Sequence, residues 1–238
     1  MKISIIHPTR GRKQMAFDTA YKWLSNADNL EDISYFFSVD SDDKDLWFAS
    51  VRFAPNNCTT DNLFTADVIK NDNKSAIEAI NFAASYIYQR NRDADYITIV
   101  VSDDFSCPEH WDTLLLDALK GKSDFIVKTQ DGIQKTLITL PIMDRVYYER
   151  FGYVYHPDYL HMHADEEMTI VGHMLGRVID LPLVFPHNHY TVGGMQMDAI
   201  NAKNNATWAH GASTLERRAK DNFGIEKPLV RREDIVWR

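Results

Sequence analysis

The sequence predicts an α/β fold with a central, mostly parallel sheet flanked by helices and a short antiparallel portion. Three observations carry this. Apolar, β-branched runs of strand length recur at residues 2–6, 33–39 and 95–101. Stretches with helical apolar spacing separate them. Each short strand-to-helix junction is crowded with polar groups, and ligands of open α/β sheets gather beyond the carboxyl ends of the strands.

The first strand, 2–6, stops at His7 and runs into the donor-rich loop Pro8-Thr9-Arg10-Gly11-Arg12. A helix over 13–26 follows, with Met15, Ala16, Ala20, Trp23 and Leu24 at helical spacing. The second strand, 33–39, ends in Asp40, with Asp42 and Asp43 close behind. Residues 49–63 read as irregular and 66–69 as a short third strand. Asn71, Asp72, Asn73 and Ser75 offer capping side chains to a helix over 74–90 that carries Ile77, Ile80, Ala84 and Ile87 on one face. The strand 95–101 ends in Ser102-Asp103-Asp104. A helix over 108–120 follows, then strands over 124–128 and 136–140 about an Asp131-Gly132 turn. Helices over 143–151 and 165–175, the latter with Gly176 as C-cap, precede a last strand over 177–184. The chain is polar and Gly/Asn-rich from 186 and helical again over 212–222. This pattern predicts a main domain over 1–190 and a C-terminal lid and helical tail over 191–238 packed on it.

Composition narrows the function. The chain has 238 residues, 45% of them apolar, enough for a sizeable core. A net charge of −8 argues against broad electrostatic binding of nucleic acid. Arg217, Arg218, Lys220, Lys227, Arg231, Arg232 and Arg238 nevertheless concentrate positive charge near the end, read first as a solvated helix and tail. Two cysteines, Cys58 and Cys107, make no disulfide framework. No apolar run approaches the ~20 residues of a membrane span, so the expectation is a soluble, cytoplasmic protein without a membrane partner.

Four constellations can carry chemistry. The arginines of the 8–12 loop can pair with a diphosphate, or the loop is an ordinary polar turn. Asp40 can accept hydrogen bonds from a nucleobase or ribose, or serve as a turn acid. Asp103 and Asp104 repel each other unless a cation or ligand donors neutralise them; the alternative is a helix cap. Asp165, Glu166 and Glu167 open a helix whose dipole favours them, and one of them can act as general base. A looser fifth element is His187-Asn188-His189. On an extended segment these two rings face opposite ways, so at most one is expected to reach a shared metal. His110, His156, His161 and His173 lack a second partner in sequence and are read as packing residues.

In this order and spacing the motifs resemble a GT-A type glycosyltransferase, most similar to the large family 2. The family's "PTxxR" loop is matched by Pro8, Thr9 and Arg12, its base-contacting acid by Asp40, and its "A-x-N" helix by Ala79-Ile80-Asn81. Its DxD-type motif is matched by Ser102-Asp103-Asp104, its acidic base helix by Asp165-Glu166-Glu167 through Gly176, and its metal-binding histidine by His187 or His189. Ser102 stands at the first DxD position, which shifts the metal to Asp104 and leaves Asp103 nearer the ribose. Ala164 precedes Asp165, which leaves the base between Asp165 and Glu166.

The resemblance implies a GT-A, Rossmann-like fold and an inverting transfer from a nucleotide-sugar donor, a UDP-sugar by expectation. It implies a Mn²⁺ or Mg²⁺ ion on Asp104, donor contacts from Pro8, Thr9, Arg10, Arg12, Asp40 and Asp103, and Asp165 as base. The acceptor stays open among a DNA base, a glycan and a small molecule, since small proteins of this kind also resemble bacteriophage transferases that modify hydroxymethylated bases. The rival readings are a nucleotidyltransferase and a non-catalytic nucleotide- or glycan-binding module.

Overall fold

The computed structural model describes residues 1–45, 47–56, 63–91 and 95–236. Cys58, Arg238 and part of the stretch read as irregular lie outside them. Among the described residues eight strands form one sheet: β1 (Lys2–Thr9), β2 (Ile33–Asp40), β3 (Ser50–Phe53), β4 (Phe64–Asn71), β5 (Tyr96–Val100), β6 (Ile126–Gln130), β7 (Ile142–Asp144) and β8 (Val178–Val184). Their spatial order is β3-β4-β2-β1-β5-β7-β6-β8. The pairs β4–β2, β2–β1, β1–β5 and β6–β8 are parallel, while β3 and β7 run antiparallel to their neighbours.

Both sheet faces are covered, which is why β1 and β5 are apolar almost throughout. On one face Ile3, Ile5, Tyr35, Phe37, Ile97 and Ile99 pack with Trp23 and Leu24 of α1 (Lys13–Ser25) and Trp111 and Leu115 of α3 (Trp111–Leu119). On the other, Ile6, Phe36 and Val100 meet Ile77, Ile80, Ala84 and Ile87 of α2 (Ala76–Arg90), with α4 (Arg145–Phe151) and α5 (Ala164–Met174) beside it. Ser75 caps α2 by accepting the Glu78 amide, and Asp144 caps α4 by accepting that of Tyr147. Gly172 lets α5 lie against the sheet, because a Cβ there would stand 2.9 Å from Ile126 Cγ2.

The structure corrects four local expectations. Residues 136–140 form no strand. Asp131 instead accepts the amides of Ile133 and Gln134 and the Thr139 hydroxyl, curling the segment, and Ile138 donates its amide to Thr169. The antiparallel strand is β7, taken from the start of the predicted 143–151 helix. β3 lies in the stretch read as irregular; at four residues on a sheet edge it has too little buried alternation to be legible. The Asn-rich segment after 190 contains α6 (Ala199–Asn205), which a reciprocal Asp198–Asn201 capping box starts.

The C-terminal α7 (Trp208–Lys220) packs on α5 through Glu167 and Arg218, and Phe223 and Ile235 join Ile170, Val171 and Met174 in a small apolar cluster. Among the described residues no helix is long and apolar enough to cross a membrane.

Candidate active site

The carboxyl ends of β1, β2 and β5 open on a cavity of about 300 Å³. Pro8, Thr9, Arg10, Arg12, Asp40, Asp103, Asp104, Asp165, His187 and His189 all line it. Glu166 does not. Its carboxylate accepts a hydrogen bond from His163 Nδ1 at 2.9 Å.

One end of the cavity is built on Arg10 and Asp40. Arg10 pairs with Asp40 and forms a fork with Asp42, at 2.5 and 2.9 Å. Asn73 donates to the other Asp40 oxygen at 3.0 Å. Arg12 turns the opposite way. Its Nε and a terminal nitrogen donate to Asp198 at 2.7 and 2.6 Å, and it reaches Asn201 at 3.0 Å, so α6 is tied to the β1 loop. α6 also brings Lys203 to the cavity wall.

At the centre, Asp104, His187 and His189 each place one ligand atom within 4.8 Å of the others'. Asp104 accepts from Ser102 at 2.5 Å and from His187 Nε2 at 3.2 Å. His187 is held by a bridge to Phe105, by stacking on that ring at 4.2 Å, and by Asp131 at 3.8 Å from Nδ1. Burial works against ionised Asp104, but the bonds from His187 and Ser102 outweigh it and hold the carboxyl at about 2. Burial likewise works against protonated His187, and Asp104 and Asp131 outweigh it, raising the imidazole to about 9. The two acids thus demand positive charge at this spot. One carboxylate oxygen and two imidazole nitrogens form a donor set that fits a divalent ion, Mn²⁺ more readily than Mg²⁺. Both histidines reach the cluster, contrary to the alternation argument: 187–189 lies outside any regular strand, the two ring centroids are 5.0 Å apart, and His189 caps the short turn Tyr190–Val192.

Asp165, in the first turn of α5, also lines the cavity. Burial raises its carboxyl, and the Glu166 amide at 2.9 Å only partly offsets this. Glu167 is 4% exposed and committed to structure: Arg218 donates to both its oxygens, the shorter contact being 2.7 Å, and Tyr159 donates at 2.8 Å. Asn81, matched to the family's "A-x-N", anchors α2 to the loop at Val154 and Tyr155.

Several residues on this wall were missed in the sequence. His161 lines the cavity, and burial holds its imidazole down at about 4, so it is neutral there. Asp131, Asp198, Asn201 and Lys203 support or line it from segments that carry no motif. The one usable signal was Asp198 three residues before Asn201, a capping-box spacing.

No protein-family model matches the sequence, and no curated protein matches it either. Solved structures do. One is the mannosyltransferase PcManGT from Pyrobaculum calidifontis in complex with GDP-Man and Mn²⁺, at TM-score 0.53 and 12% identity over 92% of this chain and 75% of that one. Another is S. aureus TarS 1-349, at TM-score 0.54 and 11% identity over 96% of this chain and 76% of that one. The same protein in complex with UDP-GlcNAc gives TM-score 0.53 and 11% identity over 96% and 77%. At such identities the likeness is one of fold, and the chain has the GT-A type glycosyltransferase fold.

Proposed function

We propose that the protein is a metal-dependent, inverting glycosyltransferase that moves a sugar from a nucleotide-sugar donor to an acceptor hydroxyl. The observation that carries this reading is that one cavity is lined by the Asp104–His187–His189 cluster, by Asp165, and by Arg10, Arg12, Asp40 and Asp103. Arg10 and Asp40 suit the nucleoside end of the donor, and Arg12 and Lys203 suit its diphosphate. When bound on Asp104, His187 and His189, a Mn²⁺ ion would neutralise charge growing on the leaving diphosphate. Asp165 takes the proton of the acceptor hydroxyl as it attacks the anomeric carbon from the side opposite the leaving group, which inverts that centre. The structures of similar fold with GDP-Man and Mn²⁺ or with UDP-GlcNAc support a divalent ion and a sugar nucleotide. UDP-sugars are the first donors to try.

Residues 191–206 serve in this reading as a cover over the donor, latched by the Arg12–Asp198 pair. A glycan or small-molecule acceptor is favoured over DNA, because the basic C-terminal run is largely spent on carboxylates. Arg217 pairs with Asp158, Arg218 with Glu167, Lys220 with Glu216 and Arg231 with Asp234. The test is a panel of UDP-, GDP-, dTDP- and CDP-sugars with Mn²⁺, scored by nucleotide release. Release from one donor class, abolished by chelation, is the expected result; no release and no binding of any of them would refute the reading.

A further inference from the structure

One buried polar chain has no task in the mechanism above. His7 sits inside β1, fully buried, and Tyr35 inside β2 is 1% exposed. The Phe37 ring lies 5.4 Å from that of His7 and 5.2 Å from that of Tyr35. An apolar residue would fill either place without the cost of desolvating a polar group. His7 instead spans from Tyr35 to the cavity: Nδ1 lies 2.7 Å from the Tyr35 hydroxyl, and Nε2 lies 2.9 Å from Asp103 Oδ1.

The bonds run in one direction. A carboxylate only accepts, so Nε2–H donates to Asp103. In the tautomer this sets, Nδ1 accepts the Tyr35 O–H. Asp103 Oδ1 is thereby spent on the core. Oδ2 accepts the Thr9 hydroxyl at 3.3 Å and lies 3.8 Å from Arg12, and it is the oxygen left for a ligand in the cavity that Asp103 lines.

We propose that Tyr35 and His7 are positioning residues that fix the Asp103 carboxylate so that Oδ2 meets a ribose hydroxyl of the donor nucleotide. This rests on the donor-site reading. Neither residue touches the ligand; each acts through the next, as outer-shell partners orient a binding group. Without the His7 donor, Asp103 Oδ1 is unpaired in the core, and the carboxylate is free to turn toward Thr9 and Arg12.

The experiment is calorimetric titration of the full chain, in Mn²⁺, with UDP and GDP and with their 2′-deoxy and 3′-deoxy counterparts. Tyr35→Phe removes only the hydroxyl. His7→Leu removes the donor to Asp103, and His7→Gln keeps an N–H near the Nε2 position. The parent should prefer the ribonucleotide over one deoxy analogue by about tenfold or more, the worth of one hydrogen bond to a charged group. In His7→Leu that preference should shrink to about twofold or less while the deoxy analogue binds as before. Tyr35→Phe should fall between, and His7→Gln should recover most of the preference. Thermal melts run alongside; if His7→Leu does not fold, Tyr35→Phe and His7→Gln carry the comparison. An unchanged ribose preference in the variants overturns the relay, as does equal weakening of both ligands, which marks a merely structural role. A parent that binds nucleotide but ignores the deoxy change overturns this inference alone. A parent that binds neither nucleotide overturns the donor-site reading and the relay with it.

Discussion

Asp165, Glu166 and Glu167 are adjacent acids on one helix turn, and the structure assigns each a different fate on substitution. Asp165→Asn removes the acid that lines the cavity. Transfer should fall by about 10²–10⁴-fold, the usual worth of a positioned base, with donor and metal binding intact. Its burial-raised pKa fixes two signs. A base works only when deprotonated, so the acidic limb of kcat/KM should lie above the ordinary aspartate range. A raised folded pKa also means the native state holds the proton more tightly than the unfolded chain. The stabilisation is full below the unfolded pKa and is lost as pH rises through the folded one. Ionised Asp165 therefore costs stability at neutral pH, and Asp165→Asn should melt higher than the parent.

Glu167→Gln does the reverse. It strips the charge from a buried bidentate partner of Arg218, whose side chain is only 12% exposed. Breaking such a pair costs about 3–5 kcal/mol. For a chain of this size that lowers Tm by roughly 6–20 °C. Turnover at a temperature where the variant stays folded should change little. Glu166→Gln loses a part-exposed contact to His163, worth no more than about 1 kcal/mol, and should be close to silent. Steady-state transfer assays paired with melts read all three. Normal turnover in Asp165→Asn, or loss of turnover in Glu167→Gln without loss of stability, would refute the assignment of the base.

Three further outcomes follow from the site. Asp104→Asn should abolish the Mn²⁺ dependence of nucleoside diphosphate binding in calorimetry; an equal Mn²⁺ effect in the variant would remove Asp104 from the metal site. Gly211→Ala should lower Tm by roughly 2–12 °C, the effect of about 1–3 kcal/mol of overpacking, because the new Cβ would stand 2.2 Å from the Met162 carbonyl oxygen at the cavity wall; an unchanged melt would show that α7 yields freely. Plain and hydroxymethylated DNA duplexes should not shift in mobility assays near physiological salt. Tight binding lost by neutralising Arg217 and Arg231 would restore the DNA acceptor.

The sheet was legible because β1, β2 and β5 are buried on both faces and read as largely apolar runs, and α1 and α2 carry clean helical spacing. The cavity was legible for a related reason: its acids and arginines sit at strand ends, where topology collects them. The rest was set by contacts between distant segments. Thr136–Leu140 alternates like a strand, yet Asp131 takes three of the neighbouring donors and bends it away. His161 had no partner within reach in sequence and acquired its place only when the segment before α5 came to line the cavity near Asp104 and His189. His187 and His189 defeated the period-two argument because they lie beyond the last strand, in a segment that is no regular strand and leads into the turn Tyr190–Val192. Motif spacing put Asp165 at the base position with Glu166 as the alternative, but it could not show that Glu167 is committed to Arg218 of α7 or that Glu166 pairs with His163.

What distinguishes binder from base in this cavity is how each carboxylate is compensated. Asp40 has Arg10 and Asn73, Asp103 has His7 and Thr9, and Asp104 has His187 and Ser102. Asp165 has backbone amides only, that of Glu166 and its own. The donors around Asp104 hold its carboxyl down, which suits a group that must stay charged to hold a cation. One left with little compensation in a buried place has the opposite character and gains most by accepting a proton. The environments of Asp104 and Asp165 push their pKa values in opposite directions within one cavity, the first down to about 2 and the second upward. Divergence of that kind between two carboxyls is how acid, base and ligand roles separate in a shared site. It supports, independently of motif spacing, the proposal that Asp104 holds the cation and Asp165 takes the acceptor proton.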